Sequence, residues 1–340
     1  MQKDHIPPNK SNSQYMHQLF DQFNSLTILI IGDVMIDTYI WGSVDRISPE
    51  APVPIVSITK KESRLGGAAN VALNVQSLGA TPLICSIIGD DLEGTEFQKL
   101  LAHQNLSDEG ILRIQNRPTT VKTRVIGHHQ QIVRIDAETD KNISPKETSL
   151  VFEKIKHLIE NRTIDAIIFE DYDKGLITQE LIQRTIELAT QKQIITVVDP
   201  KKRNFLHYKG TTLFKPNLKE LREGLKLDID PKITHELENA VDLLQKQLHT
   251  QMIMVTLSEQ GVYISSEQGR KIIPAHIRDI ADVSGAGDTV VATATLCLAA
   301  GLDTFKTVAV ANLAGGLVCE HVGVVPIEKT QLLAEAQNLY

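Results

Sequence analysis

The stretch Asp282-Val283-Ser284-Gly285-Ala286-Gly287-Asp288-Thr289 sets a carboxylate inside a turn of small residues, just before an apolar helical run from Val290 to Ala300. Small residues let the backbone come close to a ligand. The amides of Gly285, Ala286 and Gly287 then open a helix N-terminus, where unpaired N–H donors and a partial positive charge suit a phosphate or a developing anion. A carboxylate is a poor phosphate ligand, because like charges repel. Asp288 is better suited to take the proton of a hydroxyl group as that hydroxyl attacks phosphorus. A Gly-x-Gly turn before a helix is common by itself, so the reading depends on what the rest of the chain brings beside it.

The elements that would position this turn read as α/β. Leu26 to Asp33 is a continuous apolar run ending in Gly-Asp, the pattern of a strand buried on both faces of a parallel sheet. Ligands gather at the carboxyl ends of such strands. Asp33 and Asp37 follow there, and acceptor-only carboxylates suit sugar hydroxyls. Gly66-Gly67-Ala68-Ala69-Asn70 opens a helical stretch to Leu78, with Asn70 offering a donor and acceptors, and Thr81 to Gly89 reads as another strand. From Val151 onward, helices at Val151 to Glu160, Gln179 to Lys192 and Leu237 to Gln247 alternate with strands at Ala166 to Phe169, Ile194 to Val198, Thr211 to Phe214 and Met252 to Thr256. That alternation implies a mainly parallel sheet covered by helices on both faces. Polar residues recur at the C-terminal end of each strand.

Two segments, about 40–65 and 117–138, alternate like strands without intervening helices. They are expected to form a small antiparallel β lid beside the main domain, its edges protected by charges and by Pro49, Pro52 and Pro54. Residues 1–24 are polar and are expected to be an extension or short helix outside the core, with one domain over 25–340.

Composition narrows the class. With 35 basic and 42 acidic residues the net charge is −7, and no basic block stands out, so nucleic acid is not the expected partner. An aromatic share of 4% argues against stacking platforms for single strands. Cys85, Cys297 and Cys319 lie far apart in apolar surroundings, which speaks for buried reduced thiols, a cytoplasmic setting and no zinc site. No apolar run is long enough to span a bilayer, so no membrane association is expected.

The chain resembles the ribokinase-like carbohydrate kinases over nearly all of Leu26 to Ile327. The likeness rests on Gly66-Gly67-Ala68-Ala69-Asn70, on Asn217-Leu218-Lys219-Glu220, and on Asp282 to Asp288, in that order and separation. Within the family it is most similar to the D-glycero-β-D-manno-heptose 7-phosphate kinases, through Gly32-Asp33-Val34-Met35-Ile36-Asp37, Arg46-Ile47-Ser48-Pro49-Glu50-Ala51-Pro52-Val53-Pro54, Asp171-Tyr172-Asp173-Lys174-Gly175, Asp199-Pro200-Lys201 and Ser258-Glu259-Gln260-Gly261. Some relatives carry a nucleotidyltransferase domain after the kinase; these residues end at Tyr340 and are expected to lack that activity. The tail segment Gly323 to Ile327 departs from the family pattern.

The resemblance implies a three-layer fold, ATP and Mg²⁺ as cofactors, and transfer of the γ-phosphoryl group to a sugar hydroxyl. It assigns the base to Asp288 and the transferring charge to the amides of Gly285, Ala286 and Gly287. It places Asp33, Asp37, Gly66, Gly67 and Asn70 at the sugar, with Asp171 and Lys174 facing the same cleft. Asn217 and Glu220 would organise Mg²⁺ through water. Ser258, Gly261, Asn312 and Gly316 would line the adenine pocket, and the backbone carbonyls of Asp282 and Ser284 mark where relatives hold a monovalent cation such as K⁺. A distal phosphate needs cations, for which Arg124 and Arg134 on the lid are the candidates, with Lys122 and Arg64 behind them. His128 and His129 read as a lid turn, not a metal pair. A lid of this kind is expected to build a homodimer. The rivals are a kinase for another sugar and a non-catalytic sugar sensor. A dinucleotide-binding oxidoreductase is excluded, since the first strand lacks the Gly-x-Gly-x-x-Gly that such enzymes need.

Overall fold

The computed structural model describes residues 10–127 and 130–339. In chain order these form α1 (Lys10–Gln22), β1 (Thr27–Gly32), β2 (Val34–Ile47), β3 (Pro54–Gly67), α2 (Ala68–Ser77), β4 (Thr81–Gly89), α3 (Leu92–His103) and β5 (Ile111–Ile114). There follow β6 (Val121–Gly127), β7 (Gln130–Ala137), α4 (Pro145–Asn161), β8 (Ala166–Glu170), α5 (Gln179–Gln191), β9 (Ile195–Asp199), β10 (Leu213–Phe214), α6 (Leu218–Leu225) and α7 (Thr234–Leu248). The last elements are β11 (Met252–Thr256), β12 (Val262–Ser266), β13 (Gly269–Ile273), α8 (Ala286–Ala299), α9 (Thr304–Val318) and α10 (Lys329–Ala336).

The main sheet runs β13-β12-β11-β10-β9-β8-β1-β4-β5, parallel from β11 to β5, with β12 and β13 antiparallel at one edge. Successive residues of a strand face opposite sides, and β1 shows what that does. Ile28 and Ile30 pack with α2, α8 and α9 on one face, while Leu29 and Ile31 pack with α4, α5 and α7 on the other. The apolar run therefore reads as a central strand because both its faces are covered. Helix α8 is apolar nearly all round, with Asp288 to Cys297 buried, and so lies inside the helical layer instead of capping it. No helix among the described residues is long and apolar enough to cross a membrane.

The lid is a four-stranded sheet, β3-β2-β6-β7. It departs from expectation in two ways. It is not wholly antiparallel: β2 and β3 form one antiparallel pair, β6 and β7 another, and the two meet through a parallel β2–β6 pairing. The chain visits the main domain between the hairpins and re-enters the lid from the same end, so the adjoining strands run the same way. The lid also begins earlier, because Asp33 alone separates β1 from β2, and Asp37 stands on a lid strand. His128 and His129 lie outside the described residues.

The N-terminal stretch is also corrected. Met16, Leu19, Phe20 and Phe23 recur at helical spacing and are buried, with the Phe20 and Phe23 ring centroids 4.9 Å apart. Helix α1 thus belongs to the core formed with α2, α9 and α10; the polar residues around it had masked this narrow stripe. Helix α3 and strand β5 are further elements not anticipated. Replacing Phe20 by Ala should lower stability by about 3–5 kcal/mol in urea unfolding; a change below about 0.5 kcal/mol, typical of an exposed site, would return α1 to the periphery.

Candidate active site

Strands β8, β9 and β10 end side by side, and helix α8 points its N-terminus at those ends. Gly285 caps the helix with φ of 81°, a left-handed conformation that a side chain would strain. Asp288 sits in the first turn of α8 and is 7% exposed. Its oxygens each accept one side-chain hydrogen bond, Oδ2 from Asn70 Nδ2 at 2.6 Å and Oδ1 from the Tyr172 hydroxyl at 2.9 Å. Each oxygen keeps lone-pair capacity for a further proton.

Two more carboxylates reach the same place. Glu170 ends β8, Asp199 ends β9, and one oxygen of each lies with an oxygen of Asp288 inside a cluster 4.8 Å across. All three are buried. Lys215 Nζ, equally buried, lies 2.8 Å from Asp199 Oδ2, and Lys201 pairs with Glu220 close by. Burial raises Asp288 from the ordinary 3.8 to about 6, and Asp199 adds to the rise, while Asn70, Tyr172 and Lys215 pull the other way. Burial, with Asp199 and Asp288 beside it, pushes Glu170 well above the ordinary carboxylate range. Burial works against the charge of Lys215, but Asp199, Glu220 and Glu170 around it raise its proton affinity overall.

Glu170 Oε2 is buried with no hydrogen-bond partner among the described residues. An orphaned carboxylate oxygen beside a second carboxylate is the donor set a hard divalent cation takes, so Mg²⁺ fits here. Asn217 and Glu220, the expected magnesium residues, make a reciprocal cap at the start of α6: each side chain bonds the other's backbone N–H at 2.8 Å. With Glu220 also paired to Lys201, both its oxygens are engaged. That arrangement suits the outer, water-mediated role expected of them.

The other expected residues divide. Gly66 lies against Asp37, for any Cβ on Gly66 would overlap the Asp37 carboxylate. Asp37 accepts from Arg124 Nη1 at 2.5 Å, so the lid hands a carboxylate and a guanidinium together to the cleft. Gly67 turns the chain from β3 into α2, and Asn70 faces Asp288 from there. Asp33 is a correction: it is 4% exposed, and its oxygens accept from the backbone N–H of Tyr172, Lys174 and Leu176, each at 3.1 Å. It anchors the 172–176 loop instead of presenting itself to a sugar. Asp171 is another correction. It is fully buried on the opposite side from Glu170, bonded to Tyr208, Asn204 and the N–H of Asp173. Its acceptor sites are used within the core.

Lys174 bonds Glu138 at 2.7 Å at the lid's inner edge. Arg134 is half exposed on β7 and pairs with Asp136 through two nitrogens at 3.0 Å. It stands on the rim, not in the cleft. Asp282 fixes the approach to the turn, accepting from the N–H of Ser284 at 2.9 Å and of Gly323 at 3.0 Å. Gly261, Asn312 and Gly316 gather round residues 274–278: Asn312 donates to Pro274 O at 2.9 Å, Gly261 abuts Pro274 and Ala275, and Arg278 lies over Gly316. Ser258 leads into Gly261 as part of a single helical turn.

Several site residues had carried no assigned role: Tyr172, Glu170, Asp199, Lys215 and Asn74. Asn74 is completely buried and joins α2 to α8, accepting from the Thr289 hydroxyl and the Ile327 N–H at 3.0 Å and donating to Asn70 O at 2.9 Å. The available signal was position: Glu170, Tyr172, Asp199 and Lys215 all fall at or just beyond strand C-termini.

A family model described as pfkB family carbohydrate kinase matches residues 25–331. The chain is 39% identical over 311 residues to Bifunctional protein HldE of Methylobacillus flagellatus, covering 92% of this chain and 63% of that protein. It is 38% identical over 296 residues to Bifunctional protein HldE of Helicobacter pylori, covering 87% and 63%. The chain therefore spans about 63% of the length of these relatives. Among solved structures, phosphofructokinase-2 from Escherichia coli in complex with substrates and products superposes with a TM-score of 0.74 at 18% identity over 92% of this chain and 98% of that one. Ribokinase from Arabidopsis thaliana complexed with ribose and ATP gives 0.70 at 13% identity over 93% and 99%. These structures share the fold.

To serve as a proton acceptor, Asp288 would have to enter the reaction ionised. With Asp288 protonated up to about pH 6, kcat/KM should rise about tenfold per pH unit below that value and level off above it. A profile that is flat between pH 5 and 8 would count against Asp288. The same shift has the opposite sign for the fold: because Asp288 binds its proton more tightly folded than unfolded, its contribution to stability declines as pH rises from about 4 through 6.

Proposed function

The chain belongs to the pfkB family of carbohydrate kinases and is an ATP-dependent sugar kinase, and from that premise we propose that its substrate is D-glycero-β-D-manno-heptose 7-phosphate. It transfers the γ-phosphoryl group of ATP to the anomeric hydroxyl, in the cytoplasm, and the 1,7-bisphosphate product feeds ADP-heptose and lipopolysaccharide core synthesis. The observation that carries this reading is the pairing of a buried, two-point-held Asp288 with a lid whose inner face presents arginines to the same cleft.

The chemistry follows from the residues. The sugar lies between α2 and the lid, with hydroxyls on Asp37 and close backbone approach at Gly66 and Gly67. Its reacting hydroxyl meets Asp288, whose orientation is held by Asn70 and Tyr172 so that a free lone pair faces the proton. The amides of Gly285, Ala286 and Gly287 receive the charge of the transferring group, already aimed and needing no reorganisation. Lys215 and Lys201 offset the carboxylates around it. Glu170 and Asp199, with Asn217 and Glu220 acting through water, would hold magnesium, which would neutralise charge on the triphosphate when bound. The adenine lies against Ser258, Gly261, Asn312 and Gly316, and the carbonyls of Asp282 and Ser284 are the place for a K⁺ ion. The lid excludes water from the transfer.

A second copy of the chain fits the outer face of the lid. Val133 and Ile135 project from β7 on the side opposite Arg124 and Arg134, and both stand exposed. Such a patch favours association, and we expect a homodimer; light scattering that gives a monomer across micromolar concentrations would remove this part of the proposal.

The defining assay supplies Mg-ATP with heptose 7-phosphate, fructose 6-phosphate, ribose and adenosine, and follows ADP and the phosphorylated product. Turnover confined to the heptose 7-phosphate is expected. Turnover on another member would keep the kinase and discard the substrate. Asp288→Asn should retain ATP binding by calorimetry and lose at least about a thousandfold in kcat, a loss at the upper end of the usual general-base contribution.

A further inference from the structure

The structure assigns a positioning role to Arg117: from outside the carboxylate cluster it fixes the 172–176 loop, and through that loop the Tyr172 hydroxyl that holds Asp288. The inference rests on the reading of the chain as a sugar kinase with Asp288 as its proton acceptor.

Tyr172 is delivered by a loop, which has no strand ladder of its own to hold it. Asp33 grips the amide side, accepting from the N–H of Tyr172, Lys174 and Leu176. The carbonyl side needs donors instead. Arg117 supplies one: its Nη2 donates to Lys174 O, while its Nη1 donates to Lys141 O at 2.9 Å. Lys174 is thus held from both sides, its N–H by a carboxylate and its C=O by a guanidinium.

The second carbonyl explains why the fork matters. Residues 138–143 carry the chain from β7 to α4 and lie directly across the loop. Ile143 N donates to Gly175 O at 2.9 Å, and Lys174 Nζ donates to Glu138 at 2.7 Å. Gly175 adopts φ of 86°, and any Cβ there would overlap Lys141 O. Arg117 bridges the two crossing segments at this contact. A planar guanidinium reaches both carbonyls at once, whereas an ammonium group is a point charge on a flexible stem.

Arg117 is itself anchored. Pro118 follows it, and the Thr119 hydroxyl donates to Asp91 Oδ1 at 2.6 Å and accepts from Gly89 N at 2.8 Å. Thr119 N donates to the other Asp91 oxygen at 2.7 Å, and Asp91 in turn caps α3. The arginine therefore transmits the position of β4 and α3 to the loop. At the loop's far side the Tyr172 hydroxyl lies 2.9 Å from Asp288 Oδ1. A displacement of about 1 Å at such a site can cost about a hundredfold in rate.

The test compares Arg117→Met, Arg117→Lys, Tyr172→Phe and the double variant Arg117→Met with Tyr172→Phe, using Mg-ATP and heptose 7-phosphate. Arg117→Met should lower kcat about 30-fold and change KM for ATP and for the sugar by less than about threefold. Arg117→Lys should recover part of that loss, since it returns one donor. In the Tyr172→Phe background the same Arg117→Met change should cost less than about threefold, because both act through one hydroxyl. A full 30-fold loss in that background, or a raised KM with kcat unchanged, overturns the inference. Amide exchange followed by mass spectrometry reads the loop without substrate. Residues 171–177 should exchange at least about tenfold faster in Arg117→Met while β8 and α8 keep their protection; unchanged exchange overturns the inference whatever the kinetics show. If Arg117→Met loses protection throughout the chain, Arg117→Lys decides by the same two measurements. If wild type does not turn over heptose 7-phosphate, that substrate falls, and the kinetics are run with whichever of fructose 6-phosphate, ribose or adenosine it does phosphorylate. If it phosphorylates none of them, the kinase reading fails and this inference with it.

Discussion

Four carboxylates and two ammonium groups crowd one end of the main sheet, and most of the local structure answers to that crowding. Charges removed from water are tolerated only when they are paired and hydrogen-bonded. Lys215 meets Asp199, Lys201 meets Glu220, and Asp288 takes its bonds from Asn70 and Tyr172. Glu170 is left with an unused oxygen. The apolar packing of α8 between α2, α9 and the sheet holds this arrangement against mutual repulsion. Without that scaffold the carboxylates would relax into water, and Asp288 would lose both its raised proton affinity and its aim.

Asp33 makes the arrangement coherent. Its carboxylate gathers three backbone N–H groups of the 172–176 loop, its own N–H bonds Glu170 O at 3.2 Å, and its carbonyl receives Ala68 N at 3.0 Å. One residue thus ties β8, the loop that delivers Tyr172, and the start of α2 that delivers Asn70. Both donors to the Asp288 carboxylate are placed by elements that Asp33 fastens. Burial, with Asp171 beside it, raises the Asp33 carboxyl to about 6 despite those three bonds, which shows how much desolvation the position carries.

The α/β class, the glycine turn with its internal carboxylate and the lid were all legible in the sequence, because each has a local signature in period or composition. What escaped depends on parity and register. Glu170 and Asp171 are adjacent acids at one strand end, and only the alternation of β8 within its sheet decides that the first enters the site and the second the core. Asn217 and Glu220 have the spacing of a metal-organising pair and equally that of a reciprocal helix cap; the sequence is silent on which bonds form. Helix α1 was hidden because its four apolar residues are diluted by polar neighbours. The parallel β2–β6 junction joins segments about 85 residues apart, and no local pattern encodes such a pairing.

The passage from β1 into β2 through Asp33 alone carries one more implication. A lid hung on loops can flap while the floor stays still. Here the lid is the prolongation of a central strand, and the residue at the junction is the one that also clamps the 172–176 loop. The residue that joins floor to lid therefore also sets where Tyr172 and Asn70 stand, so a change at Asp33 is felt in the lid and in both donors to Asp288 at once.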